Sequence, residues 1–349
     1  AGPSVQVMAV VKANAYGHGI LEVARICEET AEVDRLAVVN LDEALLLRAG
    51  GIKKPIQVLS FYPLDEDAII EALKKNIILP IYRLDQAKFI NRVGERLGLT
   101  GVAHLKIDVG TTRVGITLDD MEVFVSELRK YSHLRLEGIW SHFSSSEADS
   151  AITKKQLSTL IQADEIMKKH GIKVPLKHVA CTAASLLYPD SRLDAVRIGL
   201  GTYGLYPAPA CQKIIKLRPV LSWKSTLIQV KKVKKGTKIS YGGTHTMKKN
   251  GLIGIIPIGY YDGYDRAWSN TAEVIINGRR CPIRGRICMN LMMVEIKNSS
   301  NTKAGDTVTL IGREVSAEIT ADELAKLSPN TINYEITTGI NPLLPRIVV

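Results

Sequence analysis

At residues 5–19 the chain reads VQVMAVVKANAYGHG, an apolar run that finishes on Lys12 and then passes through Tyr16, Gly17, His18 and Gly19. An unpaired ammonium in an apolar interior costs several kcal/mol or gives up its proton. Either the strand stops there and Lys12 points into water, or the amine is held at a strand's mouth because chemistry needs it. Other runs end in the same way. HLKIDVG carries Lys106 and Asp108, GIWSHF carries His142, LKHVAC is followed by Thr182, and DAVRIG contains Arg197. One polar residue at the end of an apolar run is usually a solvated strand end. The same feature at equivalent positions of several runs describes a rim.

An amine at such a rim can form an imine. Phosphate donors are within reach of the same reading: Tyr16 with its following glycine turn, Thr182, Ser185, and the glycine-rich RIGLGTYG that Arg197 opens. Pyridoxal 5′-phosphate needs a lysine for a Schiff base, a phosphate cradle and a defined partner for its ring nitrogen. The same residue types would also suit a barrel that binds a sugar phosphate.

The elements that must position these groups follow from periodicity. Up to about residue 205, eight apolar runs (VQVMAVVKA, RLAVVN, PIQVLS, IILPIY, HLKIDVG, LEGIWSHF, LKHVAC, DAVRIG) alternate with helical patterns such as DEDAIIEALKKN and KQLSTLIQADEIMKKHG. Asp42, Asp65 and Asp85 are candidate N-caps, and Gly50, Gly98 and Gly171 candidate helix ends. Eight strands, each followed by a helix or turn, predict an α/β fold, a (β/α)8 TIM-type barrel over residues 1–207. Functional groups of such barrels collect at the C-terminal ends of the strands. From residue 214 to 349 the texture is strand-rich, with glycine and asparagine turns and one helical segment, TADELAKLS. This predicts a separate, mostly β C-terminal domain. Residues 206–213, with Pro207 and Pro209, are the expected linker.

Bulk properties narrow the class. The 349 residues suffice for two domains, with 46% apolar and 23% charged residues. The net charge of +11 centres on VKKVKKG (Lys231, Lys232, Lys234, Lys235) and Lys248–Lys249. No nucleic-acid signature or interleaved aromatics accompany it, so these lysines read as a solvated strand edge rather than a nucleic-acid surface. The five cysteines are scattered without a C-x-x-C pair, which argues against a disulfide framework and against a thiolate metal site. No apolar run is long enough to span a bilayer, and AGPSVQ lacks the pattern of a secretion signal, so a cytoplasmic protein without membrane partners is expected.

VMAVVKANAYGHG resembles the cofactor-lysine segment of the alanine racemase family, the fold-type III pyridoxal-phosphate enzymes. LKIDVGTTRVG, GIWSHF, AVRIGLGTYGL, KISYGGTH, PIGYYDGY, GRICMN and INYEI continue the likeness in the family's order. The resemblance implies pyridoxal 5′-phosphate as cofactor and a homodimer with shared active sites. Lys12 would bond the cofactor and act as base on one face of an amino-acid substrate. Tyr241, reaching in from the second subunit, would be the base on the other. Tyr16, Thr182, Gly199, Leu200 and Tyr334 match the phosphate-binding set, Arg197 the contact of the pyridine nitrogen, and His142 its support. Arg113 and Met289 match the substrate-carboxylate set, and Tyr260 with Tyr334 the residues that narrow the entrance. Lys106 matches the lysine often carbamylated in the family, and no metal is implied. The implied reaction interconverts L- and D-alanine, supplying D-alanine for peptidoglycan. Two bases on opposite faces are what inversion requires. A tyrosine used as base at neutral pH needs its phenolate stabilised by about 4 kcal/mol, roughly 3 pKa units, to which nearby cations contribute.

The sequence departs from the family pattern at Thr111-Thr112, where Met-Gly is common, at Asn290, where aspartate is common, and at NPLLPR from Asn341. These bear on substrate preference rather than reaction type. The strand and helix that usually precede the lysine strand are missing from the chain's short start. Rival readings are a racemase of serine or bulkier amino acids, a related decarboxylase, and a non-catalytic carrier of the cofactor. An acid would face the ring nitrogen in the decarboxylases, where this chain has Arg197. A carrier would consist of the barrel alone.

Overall fold

The computed structural model describes residues 2, 4–297 and 301–349; Ala1 and Pro3, in the short N-terminal start, lie outside the described residues. Two compact units form, one of residues 1–15 and 20–218, the other of 16–19 and 219–349.

The first unit is a closed ring of eight parallel strands in sequence order. These are β1 (Gln6–Val10), β2 (Arg35–Asn40), β3 (Ile56–Phe61), β4 (Ile77–Ile81), β5 (Gly101–Lys106), β6 (Leu134–Trp140), β7 (Leu176–His178) and β8 (Ala195–Ile198). β8 closes the ring directly onto β1, with Met8 opposite Arg197 and Ala9 opposite Ile198. The ring closes with the lysine strand as its first member.

Strands covered on both faces read as continuous apolar runs, and β4, IILPI, is buried along its whole length. Each such isoleucine or leucine contributes roughly 1.5–3 kcal/mol by leaving water. Helices follow the strands at the expected places, Glu66–Lys74 capped by Asp65 as its sequence predicts. Two caps differ. Asn40, not Asp42, caps Leu41–Ala49, and Arg83, not Asp85, occupies the cap of Leu84–Leu97. In both cases the aspartate falls in the first turn, where a negative charge is also favourable. Residues 209–213 are a 3-10 turn with Cys211 buried, and Tyr206 Oη accepts the Leu217 N–H at 2.7 Å. The stretch expected as a linker is therefore folded with the barrel, and the division falls after Arg218.

The second unit is mostly β. A three-stranded sheet runs β10 (Gln229–Val233), β13 (Gly251–Ile256), β16 (Met292–Ile296). A five-stranded sheet contains β15 (Arg279–Pro282), β14 (Glu273–Ile276), β17 (Thr307–Glu314) and β18 (Ala317–Ile319), with β9 (Trp223–Thr226) paired to β17. The run VLSWKSTLIQVKKV, which reads as one strand, breaks at Leu227–Ile228 and serves both sheets. β10 is an edge strand, and its Lys231 and Lys232 are exposed. Asn277 and Gly278, both at positive φ, turn β14 into β15 as a tight hairpin requires. Tyr264 stands edge-on to Trp268 at 4.9 Å between ring centres, in a buried aromatic core. A short hairpin of β11 (Lys238–Ile239) and β12 (His245–Thr246) carries Tyr241 in its turn.

No helix among the described residues is long and apolar enough to cross a membrane.

Candidate active site

Lys12 lies two residues beyond β1, whose last carbonyl, Val10 O, accepts the buried Tyr203 phenol at 2.8 Å. The chain then turns left-handed through Ala13, Asn14, Ala15 and Tyr16, with φ of 54, 54, 53 and 53°. Such backbone costs roughly 1–2 kcal/mol per L-residue, so the turn must be held. Glu43 does much of this, its two oxygens accepting the N–H of Ala13 at 2.7 Å and of Val39 at 2.9 Å. Asn14 Oδ1 accepts the Ile20 N–H at 2.9 Å. Burial, followed by the Arg113 charge, pushes the Lys12 amine below its ordinary range; Glu43 opposes the shift and Arg197 adds to it. Lys12 is thus prepared to be neutral more readily than a surface lysine.

Around it the barrel gathers cations. Lys106, at the end of β5, is buried with Nζ 3.6 Å from the Trp140 ring centre. Burial, then Arg197 and Arg113, hold its amine well below the usual lysine range. Arg113 follows a loop organised by Asp108, whose Oδ1 accepts the N–H of Gly110 (2.9 Å), Thr111 (2.8 Å) and Thr112 (3.1 Å). Against the burial that would raise it, these N–H groups keep Asp108 below the ordinary carboxylate range. Thr111 Oγ1 donates to His142 O at 2.8 Å, and Thr112 takes a φ of 53°, where glycine is at home.

Arg197 is buried and tightly bound. Nη1 donates to His178 Nδ1 (2.7 Å) and His178 O (3.1 Å). Nη2 donates to Ser141 O (2.6 Å), Val179 O (3.0 Å) and His142 Nδ1 (3.2 Å). Because a guanidinium can only donate, His142 accepts at Nδ1 and is neutral there. Burial, then Arg197, Lys106, Arg113 and Lys12, keep its pKa well below the ordinary histidine value.

Among the residues expected to hold phosphate, Thr182 Oγ1 accepts the N–H of Gly199 at 3.2 Å and of Gly201 at 3.3 Å, with Leu200 buried between them. A Cβ on Gly201 would come within 2.8 Å of Thr182 Cγ2, so only glycine leaves this turn open beside the hydroxyl. Ser185 is different from its expected use. Its hydroxyl donates back to Cys181 O at 2.7 Å, inside its own helix Thr182–Leu187.

The second unit places the remaining candidates in three groups. Tyr16 and Tyr334 have ring centres 6.0 Å apart. The backbone beside Tyr16 is fixed there: a Cβ on Gly17 would meet Thr337 O at 1.8 Å, and Arg346 Nη2 donates to Gly17 O at 2.8 Å. Tyr260 and Met289 come together, since Tyr260 N donates to Cys288 O at 3.1 Å and Tyr261 N to Met289 O at 3.0 Å. Tyr241 stands apart on its hairpin, 72% exposed, after Ser240 at a φ of 63°.

Several positioning residues escape a reading of sequence. Glu43 acts through backbone groups that no motif marks, and Arg346, though it ends the NPLLPR segment, reaches Gly17 O across more than three hundred residues. His104, Glu137 and His178 lie in strands whose alternation places His104 on the same face as Lys106, the one signal that could have drawn attention to it. The helix Asn333–Thr338, which presents Tyr334, is too short for periodicity to reveal.

The barrel residues fit pyridoxal 5′-phosphate. A lysine amine of lowered pKa, a hydroxyl cradle that a Cβ would fill, and buried cations suit an aldehyde that carries a phosphate. Among the described residues no cluster of three or more His, Cys, Asp or Glu could hold a metal ion.

Comparison with known proteins agrees. The profile described as alanine racemase, N-terminal domain, matches residues 1–207, and that for the C-terminal domain matches 220–348. An alanine racemase of Methanococcus maripaludis is 38% identical over 99% of this chain and 92% of its own length. The crystal structure of the Bacillus anthracis alanine racemase with bound L-Ala-P is 36% identical, with a TM-score of 0.90 over 98% of this chain and 87% of that one. A histidine racemase of Leuconostoc mesenteroides is also similar, 29% identical with a TM-score of 0.88 over 99% and 92% of the two chains. With both halves matched in order along nearly the whole length, the chain belongs to the alanine racemase family, isomerases that use pyridoxal 5′-phosphate.

Proposed function

We propose that Lys12 and Tyr241 are the two bases with which this chain interconverts L- and D-alanine, Tyr241 being supplied by the second subunit of a homodimer. The cofactor, bonded through Lys12, supplies an electron-withdrawing ring that acidifies the substrate α-carbon. Tyr16, Thr182, Gly199, Leu200 and Tyr334 would hold its phosphate, and Arg197 would face its ring nitrogen with His142 in support. Arg197 stays protonated and gives the nitrogen no proton. Such a pairing would leave the ring drawing electrons less strongly than one paired with an acid, and would favour return of the proton over side reactions.

Lys12 takes or holds a proton on one face, helped by the lowered pKa of its amine. Tyr241 serves the opposite face. Arg113 and the Met289 backbone would bind the substrate carboxylate, and Tyr260 with Tyr334 would limit the size of what enters. Product D-alanine would serve peptidoglycan synthesis in the cytoplasm. The observation that carries this reading is Lys12: a half-buried amine of depressed pKa just beyond the strand that pairs with the Arg197 strand. The exposure of Tyr241 supports a role in a neighbouring subunit.

A second reading, racemisation of a bulkier or more polar amino acid, draws on Asn290 in place of aspartate and on the likeness to a histidine racemase. Enantiopure amino acids incubated with the protein in deuterated water separate the two. Inversion with α-deuteration of alanine above all others supports the first; a preference for serine or histidine supports the second; no α-deuteration of any amino acid defeats both.

A further inference from the structure

We infer that Glu137, His104 and His178 form a one-way hydrogen-bond relay through the barrel interior, whose work is to position Arg197 for the pyridine nitrogen. The inference rests on the reading of Arg197 given above.

The direction of the relay is fixed at both ends. A guanidinium only donates and a carboxylate only accepts. Arg197 Nη1 is 2.7 Å from His178 Nδ1, so that nitrogen accepts, and His178 carries its proton on Nε2. His178 Nε2 lies 2.9 Å from His104 Nδ1, which must accept in turn. His104 therefore carries its proton on Nε2 and donates it to Glu137 Oε2 at 3.1 Å. Only one tautomer of each ring satisfies all three bonds. A second proton on either ring would set one N–H against another, ending at Arg197. Burial acts in the same direction, keeping both rings neutral. Beyond Glu137, Arg35 donates from Nη1 at 2.9 Å and Nη2 at 3.3 Å, and its Nε donates to Gln6 Oε1 at 2.7 Å.

The sequence makes room for this arrangement at three places. β5 and β6 slip register, Ala103 facing Leu136 and His104 facing Gly138, so that Glu137 is an extra residue in β6. Such a bulge re-aims a side chain. Gly138 has no Cβ, and one there would stand 2.8 Å from His104 Nδ1. Trp140 lies parallel to the His178 ring, 8° between planes and 5.6 Å between centres. A bulge, a strand glycine and two fully buried imidazoles are poor choices for stability alone, because a well-packed apolar core does as well or better. Their common product is a guanidinium held in one orientation. Glu137, His104 and His178 are thus positioning residues, polarised in series from a carboxylate to a cation.

Protein labelled with 15N in its histidine rings tests the relay without cofactor. His104 and His178 are expected as neutral rings with the proton on Nε2 throughout about pH 6–8. A proton on Nδ1 of either, or a doubly protonated ring in that range, overturns the relay. Glu137→Gln is then expected to keep both tautomers, since the amide oxygen accepts and Arg197 still fixes the other end, but to move the His104 Nε2–H resonance as its bond loses the carboxylate charge. With cofactor bound it should lower kcat about 10–100-fold, the range seen when carboxylates behind a working histidine are removed. KM should change less than about twofold and the cofactor absorbance should persist. An unmoved His104 Nε2–H resonance, together with kcat within about twofold of the parent, overturns the positioning role, whatever the variant does to the unfolding temperature. The unmodified protein's spectrum decides the hydrogen-bond direction even if the variant does not fold. Failure of the proposed function looks different: the unmodified protein would neither hold the cofactor nor invert an amino acid, while its histidine tautomers stayed as stated.

Discussion

Lys12 is the residue from which the chemistry is most directly testable. Its amine is half-buried and its pKa lowered, so replacing it with alanine removes the group proposed to bond the aldehyde. Lys12→Ala is expected to be colourless after incubation with pyridoxal 5′-phosphate and gel filtration, where the parent is yellow; a yellow variant would move the bond to another lysine. Tyr241→Phe removes one oxygen from an exposed side chain, so the fold and the colour should survive. Hydrogen exchange at the α-carbon should stop selectively for the L-enantiomer, by about 10²-fold or more. Equal exchange from both enantiomers would assign the second base elsewhere. Lys106 offers a third case. Burial and the Arg197 and Arg113 charges keep its amine well below the ordinary lysine range, so the neutral, nucleophilic form is accessible. Reaction of that amine with carbon dioxide releases a proton and leaves a carbamate, whose negative charge would sit among the cations that now repel an ammonium. A 13C carbamate resonance from 13C-bicarbonate, absent in Lys106→Ala, is the expected result; its absence from the parent leaves Lys106 a plain amine.

At the scale of strands and turns, what sequence reveals depends on where the controlling interaction lies. The eight strands and the helices between them were legible because burial on both faces writes continuous apolar runs and amphipathic stripes. The places of Lys12, Thr182 and Arg197 in or just after such runs were legible because a polar group there breaks the pattern. The left-handed turn after Lys12 was not, since nothing in Ala13-Asn14-Ala15 demands positive φ until Glu43, thirty residues away from Ala13, accepts its N–H. The bulge at Glu137 is equally silent, being a matter of register between two strands. Its consequence for stability can be predicted. His104 and His178 have pKa values pushed down by burial, so below about pH 6.5 the unfolded chain binds protons that the folded barrel excludes. Glu137, held to about 2 first by the His104 N–H and then by Arg35, continues the loss as pH falls through the ordinary glutamate range. Stability present at pH 7–8 is therefore lost on acidification, the histidines acting before the carboxylate. The urea midpoint should decline from about pH 6 downward. A midpoint unchanged to about pH 5 would mean that the buried rings accept protons without penalty.

For the whole molecule the decisive question is whether, in the proposed dimer, one copy of the chain completes the other's site. The two compact units were anticipated from the change of texture along the sequence, but the grouping of residues 16–19 with the second unit was not. Their attachment depends on Gly17 lying against Thr337, a contact more than three hundred residues apart in sequence. Neither unit's own geometry explains why an aromatic side chain as large as Tyr241 stands 72% exposed on a hairpin turn, nor why Met289 is 54% exposed. The proposed second copy that receives Tyr241 would explain the first, and it makes a quantitative demand. In a dimer of Lys12→Ala with Tyr241→Phe, one site would combine both defects and the other would contain neither. Random association of equal amounts makes half the dimers mixed, each with one of two sites restored, so activity should recover to about a quarter of the parent's. Each variant alone should stay near background. Recovery should follow the rate of subunit exchange after mixing and vanish when the two dimers are cross-linked beforehand. If both bases came from one chain, every site would carry one defect or the other, and mixing would restore nothing.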